Sequence, residues 1–224
     1  MFTLLLRLGG PLQSWGSESK FEIRRTEPIP TKSGVLGMVG AALGRRRDES
    51  IEDLKKLRFG VRADQPGILL TDFHMARNDK FPYITRRYYI SDGVFLAGLE
   101  SEDFDFLKKI EWSLKHPQFP LFLGRRSCPV TLPLVLGIKE LPLFEALKKE
   151  KWLGKDKKVD RSKILISLEN GSGILIRYLK DEPESYDPVH RRFTFRKLGD
   201  FYISLENKTP EHDPFKDLVE EGSL

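Results

Sequence analysis

The sequence predicts an α+β fold, organised as one elaborated domain with a small C-terminal addition. The chain has 224 residues, of which 39% are hydrophobic, so it can bury a sizeable core. Short apolar stretches typical of strands are interleaved with amphipathic stretches typical of helices. Clusters of glycine and proline separate these stretches and indicate turns and loops.

The N-terminal part is predicted to contain a strand, a long loop and a helix. Residues Thr3–Leu8 are almost all apolar, which indicates a central strand buried on both faces. A loop follows over Gly9–Pro30, and loops of this length in compact domains are usually functional or disordered. Thr31 or Ser33 can then cap a helix over Ser33–Arg46.

This first helix carries small residues on one side, at Gly34, Gly37, Gly40, Ala41 and Gly44. Each interior glycine costs about 1 kcal/mol of helix stability relative to alanine. Several together indicate that something approaches the helix backbone closely. The sequence leaves two explanations open, which are tight packing on a sheet and approach by a nucleic-acid backbone.

The central part is predicted to contain a short helix, a strand pair and a protrusion. Ile51–Leu57 has the pattern of a short amphipathic helix. Arg58–Ala63 and Ile68–His74 are predicted to pair across a turn at Asp64–Gly67. Met75–Tyr89 is basic and aromatic, and it is predicted to form a protruding loop or ribbon.

The next elements complete the order strand, helix, strand, strand, helix, strand. Gly93–Glu100 is a predicted strand, Glu102–Lys115 a helix with an apolar stripe, and Leu134–Ile138 a returning strand after a basic loop over His116–Pro133. This is the order of the ferredoxin-like (RRM-like) fold, with one strand to spare. An elaborated central hairpin would absorb that extra strand.

The C-terminal part is predicted to form a small element of its own. Pro142–Trp152 is a predicted helix, and four stretches between residues 164 and 205 have strand composition. The predicted division is a ferredoxin-like domain over 1–140 with its protrusion at about 75–89, a small C-terminal α/β element over 141–206, and a polar tail over 207–224.

Charge is segregated along the chain. Its net charge is +5, but residues 1–47, 76–88, 115–131 and 186–198 together carry +14, which leaves −9 on the rest. The basic segments are rich in glycine, proline and aromatic residues. Basic loops on an acidic scaffold favour a phosphate-backbone binder, and ordinary solvated surface lysines and arginines are the alternative.

Several classes of protein are excluded or disfavoured. The longest apolar stretch has 11 residues, too few to span a bilayer, and no signal peptide is expected at the start. The single cysteine, Cys128, excludes an internal disulfide framework and favours a reducing, cytoplasmic location. The sequence contains no phosphate-loop, zinc-protease or nucleophile-elbow motif. Its four histidines are scattered, without the spacing of zinc ligands. The acidic residues at 48–53 fit the first turn of a helix. The sequence therefore predicts neither a metal nor a cofactor.

Three features fit RNA. Arg24, Arg25 and Lys32 precede a helix N-terminus, whose free N–H groups can bind a phosphate. Gly124 precedes Arg125, Arg126 and Ser127 in a flexible turn, and guanidinium forks match phosphate oxygens. Aromatic residues accompany arginines and can stack on bases, or they can lie in the core; these aromatics are Trp15 in the first basic segment and Phe81, Tyr83, Tyr88 and Tyr89 around Arg86 and Arg87.

These segments resemble the CasD family, the RAMP-type subunit of the type I-E CRISPR Cascade complex. The matching stretches are LRLGGPLQSWG (6–16), PTKSGVLGMVGAALG (30–44), DFH (72–74), PLFLGRRSCPVTLPLVLG (120–137) and SYDPVHRRFTFR (185–196). The resemblance implies a ferredoxin-like core, a protruding thumb within 75–89 and a small C-terminal element. It also implies that the chain binds and caps the five-prime handle of crRNA in antiviral defence, beside the large subunit and the first backbone subunit, and reaches target DNA indirectly through the complex.

The candidate RNA-binding residues come from the basic segments and the matching stretches. They are Gln13, Ser14, Trp15, Arg24, Arg25, Thr31, Lys32, Ser33, Arg86, Arg87, Tyr88, Arg125, Arg126, Ser127, Arg191 and Arg192.

Two functions remain open at the level of sequence. The first is a noncatalytic RNA-binding assembly subunit. The second is a metal-independent endoribonuclease that processes CRISPR repeat RNA, as some relatives in other CRISPR subtypes are. Such cleavage needs a general base or acid near the 2′-hydroxyl, and His74, His116 and His190 are candidates without a clear catalytic partner.

Overall fold

The computed structural model describes residues 1–16, 19–20, 22–77, 82–156 and 158–205. Four helices lie in this part of the chain. They are α1 (Lys32–Ala42), α2 (Glu52–Lys55), α3 (Phe104–Lys115) and α4 (Leu143–Lys149). Among the described residues, no helix is long and apolar enough to cross a bilayer.

The strands form two sheets. In chain order they are β1 (Phe2–Gly9), β2 (Leu12–Gln13), β3 (Ser19–Lys20), β4 (Ile23–Arg24), β5 (Arg58–Gln65), β6 (Ile68–Arg77), β7 (Pro82–Ser91), β8 (Val94–Ser101), β9 (Val135–Lys139), β10 (Ile164–Glu169), β11 (Leu175–Ser185) and β12 (Arg192–Ile203).

The larger sheet has seven strands in the order β11-β12-β10-β5-β8-β1-β9, and all neighbours are antiparallel. The structure is therefore a mixed α+β fold with a mostly antiparallel sheet. Strands β1, β5, β8 and β9 are adjacent in the order β9-β1-β8-β5, with α1 following β1 and α3 following β8 along the chain. Strands β10 to β12 continue the same sheet beyond β5.

Helices cover both faces of this sheet, as the alternating side chains of β1 demonstrate. Leu4, Leu6 and Leu8 pack in a core with apolar residues of α1 and α3. Leu5 points the other way and packs in a second core with α4. Strand β1 is thus buried on both faces, as its unbroken apolar sequence predicts.

The smaller sheet is built around a long hairpin. Strands β6 and β7 pair from Ile68 opposite Ser91 to Arg77 opposite Pro82. The other edge of β7 pairs with β2 in antiparallel and with β4 in parallel orientation. The predicted ribbon over Met75–Tyr89 therefore belongs to a longer hairpin.

The predicted pairing of Arg58–Ala63 with Ile68–His74 is wrong. Strand β5 pairs with β8 and β10 in the large sheet, whereas β6 pairs with β7 in the small one. The physical reason is burial: most of β5 is buried, so it belongs at the centre of the covered sheet, whereas β6 is largely exposed. The turn between them passes from one sheet to the other at Gly67, whose φ is +74°.

Candidate nucleic-acid interface

Strands β4 and β7 bring four of the predicted arginines together. Their parallel pairing puts Arg24 beside Arg87 and Ile23 beside Arg86, and Arg25 directly follows β4. The backbone N–H of Arg86 also donates to the carbonyl of Glu22 at 2.8 Å. Arg24, Arg25 and Arg86 are exposed, and Arg87 is partly buried.

The turn over residues 122–129 adds two more arginines. Leu123 and Cys128 are buried anchors, and Leu123 N–H donates to the Cys128 carbonyl at 2.7 Å. Between them, Cys128 N–H donates to the Arg125 carbonyl at 2.9 Å, which closes a tight turn. Gly124 enters this turn with a φ of +82°, a backbone conformation that favours glycine. The turn leaves Arg126 and Ser127 exposed at its tip.

Arg125 connects this turn to β4. Its Nη2 donates to the carbonyl of Arg24 at 2.7 Å, and its guanidinium carbon lies 4.7 Å from the centre of the Tyr89 ring. Tyr89, predicted to stack on bases or lie in the core, is buried beneath this guanidinium. Arg125 therefore positions the turn as well as contributing charge.

We call Arg24, Arg25, Arg86, Arg87, Arg125 and Arg126 the arginine cluster. Among the described residues, no carboxylate lies within ion-pair distance of any member. Arg87 Nε and Arg125 Nη1 are buried N–H groups without a described hydrogen-bond acceptor. Clustered guanidinium groups that lack a described carboxylate partner and have unused donors are suited to bind phosphate oxygens.

One aromatic residue of this surface, Phe73, was not predicted from the sequence. Phe73 on β6 lies opposite Arg86 on β7, with the Arg86 guanidinium 5.7 Å from its ring centre, and its side chain is 62% exposed. The feature of the sequence that could have identified Phe73 is its position in a predicted strand next to the basic protrusion over Met75–Tyr89. Tyr88 is partly buried and Tyr83 is exposed, while Phe81 lies outside the described residues.

Gln13, Ser14 and Trp15, which the sequence predicts to bind RNA, lie in the interior of the structure. All three side chains are buried. Gln13 Nε2 donates to the Gly93 carbonyl at 2.7 Å and its Oε1 accepts from Trp15 Nε1 at 3.0 Å, while Ser14 Oγ donates to the Tyr88 carbonyl at 3.1 Å. The polar groups of these three side chains therefore form hydrogen bonds within the chain.

The N-terminus of α1, predicted as a phosphate site, is contacted by carboxylates of the chain itself. Thr31 caps the helix, and the Lys32 backbone N–H donates to the Asp181 carboxylate at 2.8 Å. The Lys32 side chain is buried and forms 3.0 Å ion pairs with Glu169 and Glu182. The chain's own carboxylates therefore occupy the positions predicted for phosphate.

Ser33 is buried next to this network, and its carbonyl accepts a hydrogen bond from the Tyr186 hydroxyl at 2.5 Å. Burial raises the pKa of Tyr186, so this phenol stays protonated and donates. The contact holds the loop before β12 against α1.

Arg191 and Arg192 lie in a different place, at the start of β12. Arg192 is 4.0 Å from Glu184, and Arg191 lies 4.9 Å from the Phe193 ring centre. Burial and the nearby charge of Arg47 lower the pKa of Arg191. Neither has a described contact with the arginine cluster.

The small side of α1 faces protein side chains. A Cβ added at Gly34 would lie 2.8 Å from Trp15 Cε3, whereas a Cβ at Gly37 would lie 3.7 Å from Tyr186 Cζ. Of the two explanations that the sequence left open, the structure supports close packing at these positions, although Trp15 and Tyr186 rather than the sheet approach the helix.

We predict opposite effects at these two glycines. Gly34→Ala should destabilise the chain by about 1–3 kcal/mol, because the rigid Trp15 ring must move. Gly37→Ala should be neutral or stabilising by up to about 1 kcal/mol, because a methyl group fits and helix propensity improves. Thermal denaturation of both variants is the measurement. Equal melting temperatures for Gly34→Ala and Gly37→Ala would contradict the packing described here. Gly37→Leu should destabilise the chain, because the larger side chain must displace Tyr186.

The three described histidines, His74, His116 and His190, lie on different elements. His74 contacts Asp72 on the exposed hairpin, and His116 stacks against Trp112 at the end of α3, with ring centres 4.7 Å apart. His190 lies in the loop before β12. Within the described ranges, no group of three or more histidine, cysteine or acidic residues is arranged to hold a metal ion.

Comparison with known proteins places these features in context. Residues 3–198 match the model of the family described as CRISPR-associated protein (Cas_Cas5). The chain is 35% identical over 157 residues to the CRISPR system Cascade subunit CasD of Escherichia coli strain K12, with 60% of this chain and 70% of the relative covered.

Solved structures of CRISPR proteins are also similar to this chain. One, titled as the crystal structure of a Cas protein, has a TM-score of 0.73 and 40% identity and covers 90% of this chain and 95% of its own. A chain of a CRISPR RNA-guided surveillance complex has a TM-score of 0.79 and 29% identity, with 97% and 98% covered.

Proposed function

The chain belongs to the CRISPR-associated Cas5 family, and from this premise we propose that it is a noncatalytic RNA-binding subunit of a Cascade surveillance complex in antiviral defence. It binds and caps the five-prime handle of crRNA. It lies beside the large subunit and the first backbone subunit, acts in the cytoplasm and reaches target DNA indirectly through the complex. Its relative CasD is itself named as a Cascade subunit.

The arginine cluster is the observation that carries this proposal. Three separate segments place six arginines close together without a described carboxylate partner. Arg87 and Arg125 are partly buried, and each keeps an N–H group without a described acceptor, which favours an anionic ligand. We assign the handle's phosphates to these residues and to Ser127, and its bases to the exposed aromatics of the β6–β7 hairpin.

The proposal also assigns the core, the thumb and the C-terminal element to parts of the fold. The strand order β9-β1-β8-β5, with α1 and α3 in the two connections, supports a ferredoxin-like core. We assign the thumb to the β6–β7 hairpin. We keep the division at residue 140, with 141–206 as the C-terminal element and 207–224, which lies outside the described residues, as a tail.

Arg126→Ala is the sharpest test of the RNA site. Arg126 is exposed and has no described internal contact, so its removal should leave folding unchanged. A charge-assisted contact is worth about 1.5–3 kcal/mol, so affinity for a labelled handle RNA should fall by about 10- to 150-fold. The slope of log affinity against log salt should also decrease, by about 0.7 for each phosphate that the variant no longer binds.

Arg46→Ala is the matched control, because Arg46 is exposed and lies outside the arginine cluster. It should bind the handle RNA like the parent chain. Unchanged affinity and salt slope in Arg126→Ala would contradict the assignment of this residue.

For the alternative function, we predict that the purified chain binds repeat RNA without cutting it. His74, His116 and His190 lie on β6, at the end of α3 and in the loop before β12, and none has a described contact with another, which argues against a shared acid–base pair. The measurement is incubation of labelled repeat RNA with the chain, with and without EDTA, alongside alanine variants of the three histidines. Site-specific cleavage that survives EDTA and disappears in one variant would establish the endoribonuclease instead.

A further inference from the structure

An uncovered apolar strip lies at the free edge of the seven-stranded sheet. Strand β11 is the last strand of that sheet, so one edge of its backbone has no neighbouring strand among the described residues. Its Ile176 and Tyr178 side chains are exposed, and so is Phe195 on the adjoining β12. Tyr178 is 68% exposed and Phe195 is 65% exposed. We call these three residues the edge strip.

The edge strip is on the face of the sheet that α4 covers elsewhere. Tyr178 on β11 is directly opposite Lys197 on β12, so these two side chains are on the same face of the sheet. Phe195 and Phe201 are each an even number of residues from Lys197 along β12, so their side chains are on that face too. Phe201 packs against Phe144 of α4, with ring centres 5.3 Å apart. Helix α4 covers the sheet as far as Phe201 and leaves the edge strip beyond it open.

Lysines lie between the aromatic side chains of the strip. Lys180 Nζ is 5.8 Å from the Phe195 ring centre, and Lys197 stands opposite Tyr178. Among the described residues, neither lysine has a carboxylate within ion-pair distance. The surface is therefore apolar with an unneutralised positive border.

We propose that the edge strip docks an extended segment of a neighbouring protein subunit of the complex. The segment pairs its backbone with the free edge of β11, places apolar side chains over the strip, and presents acidic side chains to Lys180 and Lys197. Exposed apolar edge strands promote pairing with another chain, and strand addition satisfies both the backbone and the side chains. This inference rests on the proposed function, because the partner is a subunit of the same assembly.

The chemistry of the strip favours a protein over RNA. Ile174 and Ile176 are exposed aliphatic side chains that offer neither a stacking face nor a donor to a nucleic acid. The unpaired backbone of β11 is matched by the alternating N–H and C=O groups of an extended polypeptide. RNA would use the two aromatics and the lysines but would leave these groups unpartnered.

Photo-crosslinking in the assembled complex tests the proposal. Tyr178→p-benzoylphenylalanine is placed in the full chain, which is purified with crRNA and the other subunits and then irradiated. Tyr202, an exposed tyrosine on the opposite face of β12, carries the same group as the matched control. We expect a crosslink from position 178 to a protein subunit and little or none from position 202.

A second variant measures the contribution of the strip. Tyr178→Glu combined with Phe195→Glu places like charge where acidic side chains are expected, so the partner subunit should be retained about tenfold less well. Handle-RNA binding by the variant chain alone should be unchanged. Together these results would support the docking surface independently of the arginine cluster.

The outcomes of these experiments distinguish a failure of the docking proposal from a failure of the proposed function. A crosslink from position 178 to crRNA, to residues 206–224 of the same chain or to nothing would overturn the docking proposal, as would equal crosslinks from both positions. Full retention of the partner by the double variant would also overturn it. If the unmodified chain joins no such assembly, the proposed function fails, and this inference fails with it.

Discussion

Arg62→Ala is expected to destabilise the chain by about 3–5 kcal/mol, a large share of the roughly 5–15 kcal/mol typical of a folded domain. The Arg62 side chain is fully buried and binds the Asp64 carboxylate through Nε and Nη2. It also donates to the carbonyls of Leu147, Glu150 and Lys151 at the end of α4. Alanine would leave a buried carboxylate and three carbonyls without this donor.

Denaturant unfolding followed by circular dichroism measures this effect. Arg46→Ala is the control, because an exposed arginine without a described side-chain partner should change stability by less than about 0.5 kcal/mol. Arg62→Met combined with Asp64→Leu should be less destabilised than Arg62→Ala, since both buried charges are removed together. A midpoint for Arg62→Ala equal to that of the parent would show that α4 does not depend on this arginine.

Gly124→Ala is expected to have the second large effect, on both stability and RNA retention. A Cβ at this position would lie 1.8 Å from the carbonyl oxygen of Ser14, and the φ of +82° disfavours any L side chain. The turn that carries Arg125 and Arg126 must then leave its position against Ser14. We expect the chain to be destabilised by about 3 kcal/mol or more, from backbone strain and steric overlap together.

Gly137→Ala separates these two causes. Gly137 has a φ of +103°, but no heavy atom beyond its own and its two chain neighbours' atoms lies within 4 Å of the position of its Cβ. This variant should therefore show only the strain contribution, about 1–2 kcal/mol, and bind handle RNA like the parent. Melting temperature and RNA affinity are compared for the two variants. Equal decreases in both would remove the argument that the Gly124 turn is held by close contact with Ser14.

Most elements of the fold could be predicted, because hydrophobic patterning is local. The apolar run at the N-terminus, the amphipathic pattern of α3 and the strand composition of β10 each reflect burial along a few residues. Strand pairing depends on residues far apart in sequence, so the partner of β5 could not be deduced from the turn that follows it. The short strands β2 and β4 were missed within a predicted loop, since two residues carry no period.

The same difference between local patterns and long-range contacts applies to the candidate site. The arginines of three basic segments were predicted to bind RNA, and the structure brings them together through β4, β7 and the 122–129 turn. Lys32 has the sequence context of a phosphate ligand, yet its partner Glu169 is 137 residues away. Trp15 likewise lies in a basic loop but fills a space beside Gly34. Neither role is visible without the tertiary contacts.

The position of β1 has a consequence for how the chain folds during synthesis. This first strand lies between β8 and β9, so it cannot be paired until residues up to 101 and 139 have been made. At about 5–20 residues per second, β8 follows β1 by about 5–20 s. Such distant pairing slows folding, because loop-closure entropy must be overcome before any contact forms. Strand β1, which lies next to the β9 edge of the finished sheet, is thus an apolar segment that remains unpaired during much of synthesis.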